Sequence, residues 1–167
     1  MIYALGFDPS TEGAAWALLR VSSTSREYLG HGDADDDKTI GTILSSTSVN
    51  DGTITVIGVE TVEGALAPGD KAASRARAKN LFAVNGVAHF IRGYALGRGL
   101  HVEAMPSYVA DRYLGIRRRS TDAIVASAMR AIVKGWPKTK TTDHHRDAGA
   151  VALAAAVRYG PMHGWTS

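Results

Sequence analysis

The chain contains no cysteine, so disulfides and thiolate-metal sites are excluded and a reducing compartment is the simplest setting. No apolar run approaches the roughly 20 residues needed to cross a bilayer, so no membrane association is expected. The opening residues lack the basic segment of a secretory signal and read as a strand instead, which makes the cytoplasm the expected location. Internal repeats, low-complexity stretches and domain linkers are also missing from the sequence. What remains is ordinary globular composition, 45% hydrophobic and 21% charged. A length of 167 residues suits one domain spanning 1–167 with a substantial core.

The net charge is only +3, but its distribution is lopsided. Residues 1–60 carry nine acids and three bases, whereas 71–119 carry ten bases and two acids. A basic middle segment is either a phosphate-binding footprint or a solvated surface.

Hydrophobic patterning predicts strands over 2–7, 14–21, 27–31, 53–59 and 101–105. Proline 9 is expected to stop the first of them. Residues 30–37 read as an acidic loop, 39–49 as a weak helix, 50–52 as a turn and 64–69 as a loop. Apolar residues at helical spacing predict a long helix over 70–96. Shorter helices are expected over 107–114 and 122–133, and an alanine-rich one over 143–159. Strands first, then helix, strand and helices, is the order of an α/β sheet flanked by helices.

Acids stand at telling places. Asp8 ends the first strand and Glu60 ends the strand after Gly52, while Asp147 begins the last helix. His144 and Asp143 precede Asp147 by three and four residues, so either can share its helix face. Carboxylates gathered from several elements are the oxygen ligands that magnesium requires, and paired ions on such ligands cleave phosphodiesters. Each residue also has an ordinary structural role open to it. Asp8 before proline can form a turn, Asp143 can cap the helix, and Asp147 can complement the helix N-terminus. Glu60 is the hardest to explain that way, because a charge at the end of a buried strand is costly without a partner.

The motifs add a resemblance. The run Leu5-Gly6-Phe7-Asp8-Pro9-Ser10 resembles the first motif of the RuvC-type Holliday-junction resolvases, Gly-hydrophobic-Asp-Pro-Gly/Ser. Val56-Ile57-Gly58-Val59-Glu60 is similar to their second, and His144-His145-Arg146-Asp147-Ala148 followed by Val151-Ala152-Leu153-Ala154 to their last. Met105-Pro106-Ser107, Val109, Tyr113-Leu114-Gly115 and Ile124 through Met129 follow the order of the segments between. The resemblance implies a ribonuclease H-like α/β fold: a five-stranded mixed sheet with helices on both faces and its first three strands antiparallel. It implies an endonuclease acting on branched DNA as a homodimer. Asp8, Glu60 and Asp147 become metal ligands, with His144 in the fourth position, holding two magnesium ions for which manganese substitutes. Three departures accompany it. Ser10 replaces the glycine usual in bacterial members and looks like phage-type relatives. Glu63 stands where an aromatic is common, and Thr121 falls near the place of a family lysine whose charge Arg117 to Arg119 can replace.

Lys71, Arg75 and Lys79 recur every four residues and form one stripe, with Arg77 off it. Together with Arg117, Arg118 and Arg119 this stripe is the expected grip on DNA phosphates, or else a solvated face. Trp16, Trp136 and Trp165 are expected to pack in the core or at its rim. Three other readings remain: a nuclease for forks, flaps or RNA–DNA hybrids; a junction-binding protein without catalysis; and a sugar-kinase or actin-like protein. The last conflicts with the chain's length and its single candidate phosphate loop.

Overall fold

A computed structural model describes residues 1–46, 48–49, 52–62, 71–117, 121–139 and 141–163, and it leaves the side chains of 48, 49 and 71–77 undescribed. The strands are β1 (Ile2–Pro9), β2 (Ala14–Val21), β3 (Arg26–Ala34), β4 (Ser48–Val49), β5 (Gly52–Thr53), β6 (Val56–Glu60) and β7 (His101–Met105). The helices are α1 (Asp37–Ser45), α2 (Lys71–Gly97), α3 (Ser107–Tyr113), α4 (Asp122–Ile132) and α5 (Asp143–Met162). Five strands form one mixed sheet in the order β3-β2-β1-β6-β7, with β1, β2 and β3 antiparallel and β1, β6 and β7 parallel.

β1 lies at the centre and all eight of its residues are buried. Its side chains alternate between two cores, as the two-residue period of a strand requires. Ile2 and Ala4 face a core built with α5, α3 and α4, whereas Leu5 and Phe7 face one built with α1 and α2. Helices therefore cover both faces, as the resemblance implied. No helix among the described residues is long and apolar enough to cross a membrane.

Several elements differ from the sequence reading. β1 continues through Pro9, which pairs with Ala14. The parallel partner β6 is in register only as far as Phe7, so Pro9 has a neighbour on one side alone, a position that tolerates proline. β3 runs to Ala34 and absorbs most of the expected acidic loop. Its glycines explain why: a Cβ on Gly32 would lie 3.0 Å from Trp16, whose indole covers that stretch of strand. The expected helix over 39–49 is shorter and starts earlier, at Asp37, capped by the Asp36 carboxylate accepting from Thr39 N–H at 2.6 Å. Thr53 pairs with Ser48 in a small separate ladder instead of opening β6. Trp136 is buried and Trp16 half-buried in packing positions, while Trp165 lies outside the described residues.

Candidate active site

Asp8 and Glu60 reach the same end of the sheet because β1 and β6 are parallel, with Phe7 opposite Val59. Both also point to the α5 face. Asp8 has the parity of Ile2 and Ala4, and Glu60 that of Val56, which belong to the α5 core. The third acid depends on how closely α5 approaches. Gly6 and Gly58 sit opposite each other, and α5 lies directly on them. A Cβ on Gly6 would fall 2.0 Å from the Ala148 carbonyl, and one on Gly58 2.6 Å from that of Val151. Ala148, Gly149, Ala152, Ala155 and Ala156 are all buried, so small side chains on the helix complete the fit. The alanine-rich sequence thus serves backbone proximity, which carries Asp147 over the strand ends.

Ligand oxygens of Asp8, Glu60 and Asp147 lie within 4.8 Å of one another. Three carboxylates held this close and largely out of water disfavour their own ionisation. Burial, followed by the charges of Asp8 and Asp147, pushes Glu60 up to about 9. Burial also pushes Asp147 up to about 7, with Asp8 and Asp111 adding to it. Asp8 is raised by burial as well, although hydrogen bonds from His144 and Glu60 oppose the shift. Glu60 Oε2 is buried and has no hydrogen-bond partner. An orphaned carboxylate oxygen among crowded acids is what a hard divalent cation satisfies, so the residues present fit the magnesium site that the resemblance implies.

These shifts predict a pH dependence. In the unfolded chain the two acids have ordinary values of 4.5 and 3.8, so in the folded protein they hold protons that unfolding would release. Their contribution to stability is complete below about pH 4 and is lost as pH rises through about 7 and then 9. Thermal denaturation in EDTA should show stability falling across that window. Glu60→Gln should flatten its alkaline part, and magnesium should oppose the fall. A metal-free chain that gains stability from about pH 5 to 9 would contradict the geometry.

His144 Nδ1 lies 2.6 Å from Asp8 Oδ2, and that contact raises the imidazole's affinity for a proton. The ring is otherwise 66% exposed and stands at the rim of the cluster. Asp143 turns away to pair with Arg146. The helix cap expected of Asp143 belongs to Thr142 instead, whose hydroxyl accepts from His145 N–H at 3.3 Å. Beside Asp8, a cavity of about 260 Å³ opens toward β3, lined by Ser10, Glu12, Asp33, Asp35 and His144. An acidic wall of this kind repels phosphate unless cations occupy the centre.

Of the expected phosphate contacts, Lys79 on α2 and Arg117 after α3 are exposed. Lys71 and Arg75 lie on α2 with their side chains undescribed, and Arg118 and Arg119 fall outside the described residues, as does Glu63. Sequence reasoning missed Ser107, which hydrogen-bonds Glu60. It follows Pro106 at the end of β7, where Met105 pairs with Glu60, so the parallel register carries the signal. Asp33 and Asp111 were also missed.

No protein-family model and no curated protein matches the sequence. Solved structures do match. Thermus thermophilus RuvC superposes with a TM-score of 0.68 at 16% identity, covering 95% of this chain and 97% of that one. The same protein in complex with a Holliday junction substrate gives 0.67 at 19% identity, over 96% and 97%. The chain has the RuvC fold. A yeast mitochondrial Holliday junction resolvase, Ydc2, matches at a TM-score of 0.53 and 9% identity, covering 92% of this chain and 79% of that one. Asp8 and Glu60 at the strand ends and Asp147 on the final helix converge within this chain itself.

Proposed function

We propose that this chain is a magnesium-dependent, structure-selective DNA endonuclease that resolves four-way (Holliday) junctions by phosphodiester hydrolysis, as a single ribonuclease H-like domain in the cytoplasm. The observation that carries this reading is the meeting of Asp8, Glu60 and Asp147 within 4.8 Å on the fold of a protein solved with junction DNA. Asp8, Glu60 and Asp147 are the proposed ligands of two ions, with His144 as the fourth ligand through the nitrogen that now meets Asp8. Divalent ions there supply the positive charge that keeps the acids ionised, activates water and stabilises the leaving oxygen. The protein's own part is to hold these oxygens in place, with Ser107 bonded to Glu60 and the imidazole at the exposed rim able to hold or give up a proton.

Lys71, Arg75, Lys79 and Arg117 to Arg119 are the proposed phosphate contacts. A four-way junction has near two-fold symmetry, so a homodimer sets one site on each of two strands. The exposed stripe Phe82, Gly86, His89, Gly93 and Leu96 along α2 supports this, because Phe82 is 74% exposed and none of the described residues packs over the two glycines.

The test compares cleavage of a synthetic four-way junction, a fork, a flap and an RNA–DNA hybrid. The junction should be cut in magnesium or manganese and left intact in EDTA. Calcium should support binding without cutting, since its looser coordination holds reacting oxygens poorly. Preference for another substrate would redirect the specificity, and cleavage in EDTA would end the metal reading.

A separate outcome concerns binding. Replacing Arg117, Arg118 and Arg119 with alanine should lower the salt slope of log K for junction DNA by about 2–3, near one unit for each phosphate no longer neutralised. Fluorescence anisotropy across a salt series measures it. An unchanged slope would remove these arginines from the interface.

A further inference from the structure

His145 neighbours His144 but does not point where it points. The imidazole is 4% exposed, buried between the first turn of α5 and β3. Its Nδ1 accepts from Thr142 N–H at 3.1 Å, while its own backbone N–H donates to the Thr142 hydroxyl at 3.3 Å. This is a reciprocal capping box, with histidine where glutamate or glutamine usually stands. An accepting Nδ1 puts the proton of the neutral ring on Nε2. Nε2 lies 3.1 Å from Asp33 Oδ1, outside hydrogen-bond geometry, so the contact with Asp33 is electrostatic.

The β3 side of this arrangement rests on a bulge. β2 pairs Leu18 with Gly30 but Leu19 with Tyr28, leaving Leu29 as the extra residue. An extra residue reverses strand parity beyond it. Ala17 and Ala15 share the face of Leu19, which is the α5 face, and after the bulge their partners are His31 and Asp33. Without it, Gly30 and Gly32 would face α5. With it, the His31 ring meets the His145 ring at 4.5 Å between centroids. Tyr28 hydroxyl bonds His31 Nδ1 and meets Trp136 edge-on at 5.3 Å, and Trp136 packs where Gly149 of α5 leaves room. A column of rings therefore ties β3 to α5 immediately beside the residues that converge on Asp8.

We infer that His145 is a positioning residue, whose ring, seated beside His31 and Asp33, fixes the first turn of α5 through its cap on Thr142 so that His144 meets Asp8 and Asp147 joins Glu60. This rests on the metal-centre reading given above. The reach is short: His144 precedes His145, and Asp147 follows it by two residues on the same rigid helix. A slip of the first turn moves both, whereas the rest of α5 is held independently by its contact with Gly6 and Gly58.

The test uses calorimetric titration of the full chain with Mn2+, alongside thermal denaturation. His145→Leu keeps bulk but removes the acceptor, and should weaken Mn2+ binding by about 10–100-fold, the usual cost of losing a group that orients a metal ligand. His145→Gln restores the acceptor of an ordinary capping box and should bind Mn2+ nearly as the unaltered chain does. Leucine binding as tightly as histidine, whatever its melting temperature, would overturn the role, because the ring would then be packing alone. Glutamine as weak as leucine would overturn it too, since the cap would not be the operative contact. If the leucine variant fails to fold, glutamine decides against the unaltered chain, and a tenfold loss there counts against the inference. An unaltered chain that binds no Mn2+ removes the metal centre itself, an outcome separate from equal binding by all three proteins.

Discussion

Asp8→Asn, Glu60→Gln and Asp147→Asn should each lower junction cleavage by about a hundredfold or more, the scale on which misplacing a reacting group acts. Each keeps the side chain's shape and removes one charge from a cluster whose ligand atoms lie within 4.8 Å. None should unfold the protein, because these carboxyls repel one another and are raised in pKa by their burial. Junction affinity in calcium, where the cation keeps the acids ionised, should hold or rise, since a negative charge facing phosphate has gone. The neighbouring residues sharpen the outcome. Asp143→Asn should be nearly silent in cleavage, because its own carboxylate is 59% exposed and pairs with Arg146, away from the three clustered acids. His144→Ala should fall between, as it removes the group 2.6 Å from Asp8 while leaving the three acids. Single-turnover cleavage measures all five. A dead Asp143→Asn beside an active His144→Ala would mean that the helix presents the other residue to the metal.

Gly6→Ala should be as damaging without touching any charge. The added methyl would stand 2.0 Å from the Ala148 carbonyl and 2.6 Å from the Ala152 nitrogen, both backbone atoms that cannot turn aside. Relief requires α5 to lift from the sheet. Overpacking of this kind costs about 3 kcal/mol or more, which lowers the melting temperature of a chain this size by about 6–12 °C. A lifted helix also withdraws Asp147 from Asp8 and Glu60, so cleavage should fall even below the new melting temperature. Gly58→Ala meets the Val151 carbonyl at 2.6 Å and should act in the same direction. By contrast Gly86→Ala, on the open face of α2 with none of the described residues nearby, should leave monomer stability unchanged or raised. Circular dichroism melts separate these cases, and a Gly6→Ala protein that melts like the unaltered one would refute the close approach of helix and sheet.

That approach also shows what the sequence made legible. A strand ending in Gly-Phe-Asp, a second ending in Gly-Val-Glu and an alanine-rich helix opening with Asp147 are local patterns. They place each acid at the end of its own element, whereas the shared face of Asp8 and Glu60 follows only from the parallel pairing of β1 with β6 and from the cores on either side. The glycines at 6 and 58 and the alanines at 148 and 152 belong to that motif, although only the three-dimensional packing explains why they are small. The β3 side was not legible. A bulge at Leu29 leaves no mark in hydrophobic alternation, and the glycine-rich acidic run that reads as a loop is a strand because Trp16 covers Gly32. His31, Asp33 and His145 were out of reach for that reason. Aspartate is a common N-cap, which makes Asp143 the natural choice from sequence for the cap of α5, yet Thr142 holds it, paired with a histidine that no capping pattern would select.

The central claim is that Asp8, Glu60 and Asp147 form one divalent-cation centre. Anomalous diffraction from crystals of this chain soaked in manganese tests it most directly. The account predicts an anomalous peak bounded by the carboxylates of Asp8, Glu60 and Asp147, absent from crystals of Asp8→Asn. Manganese bound only elsewhere on the chain, with those three carboxylates left without a peak, would contradict it.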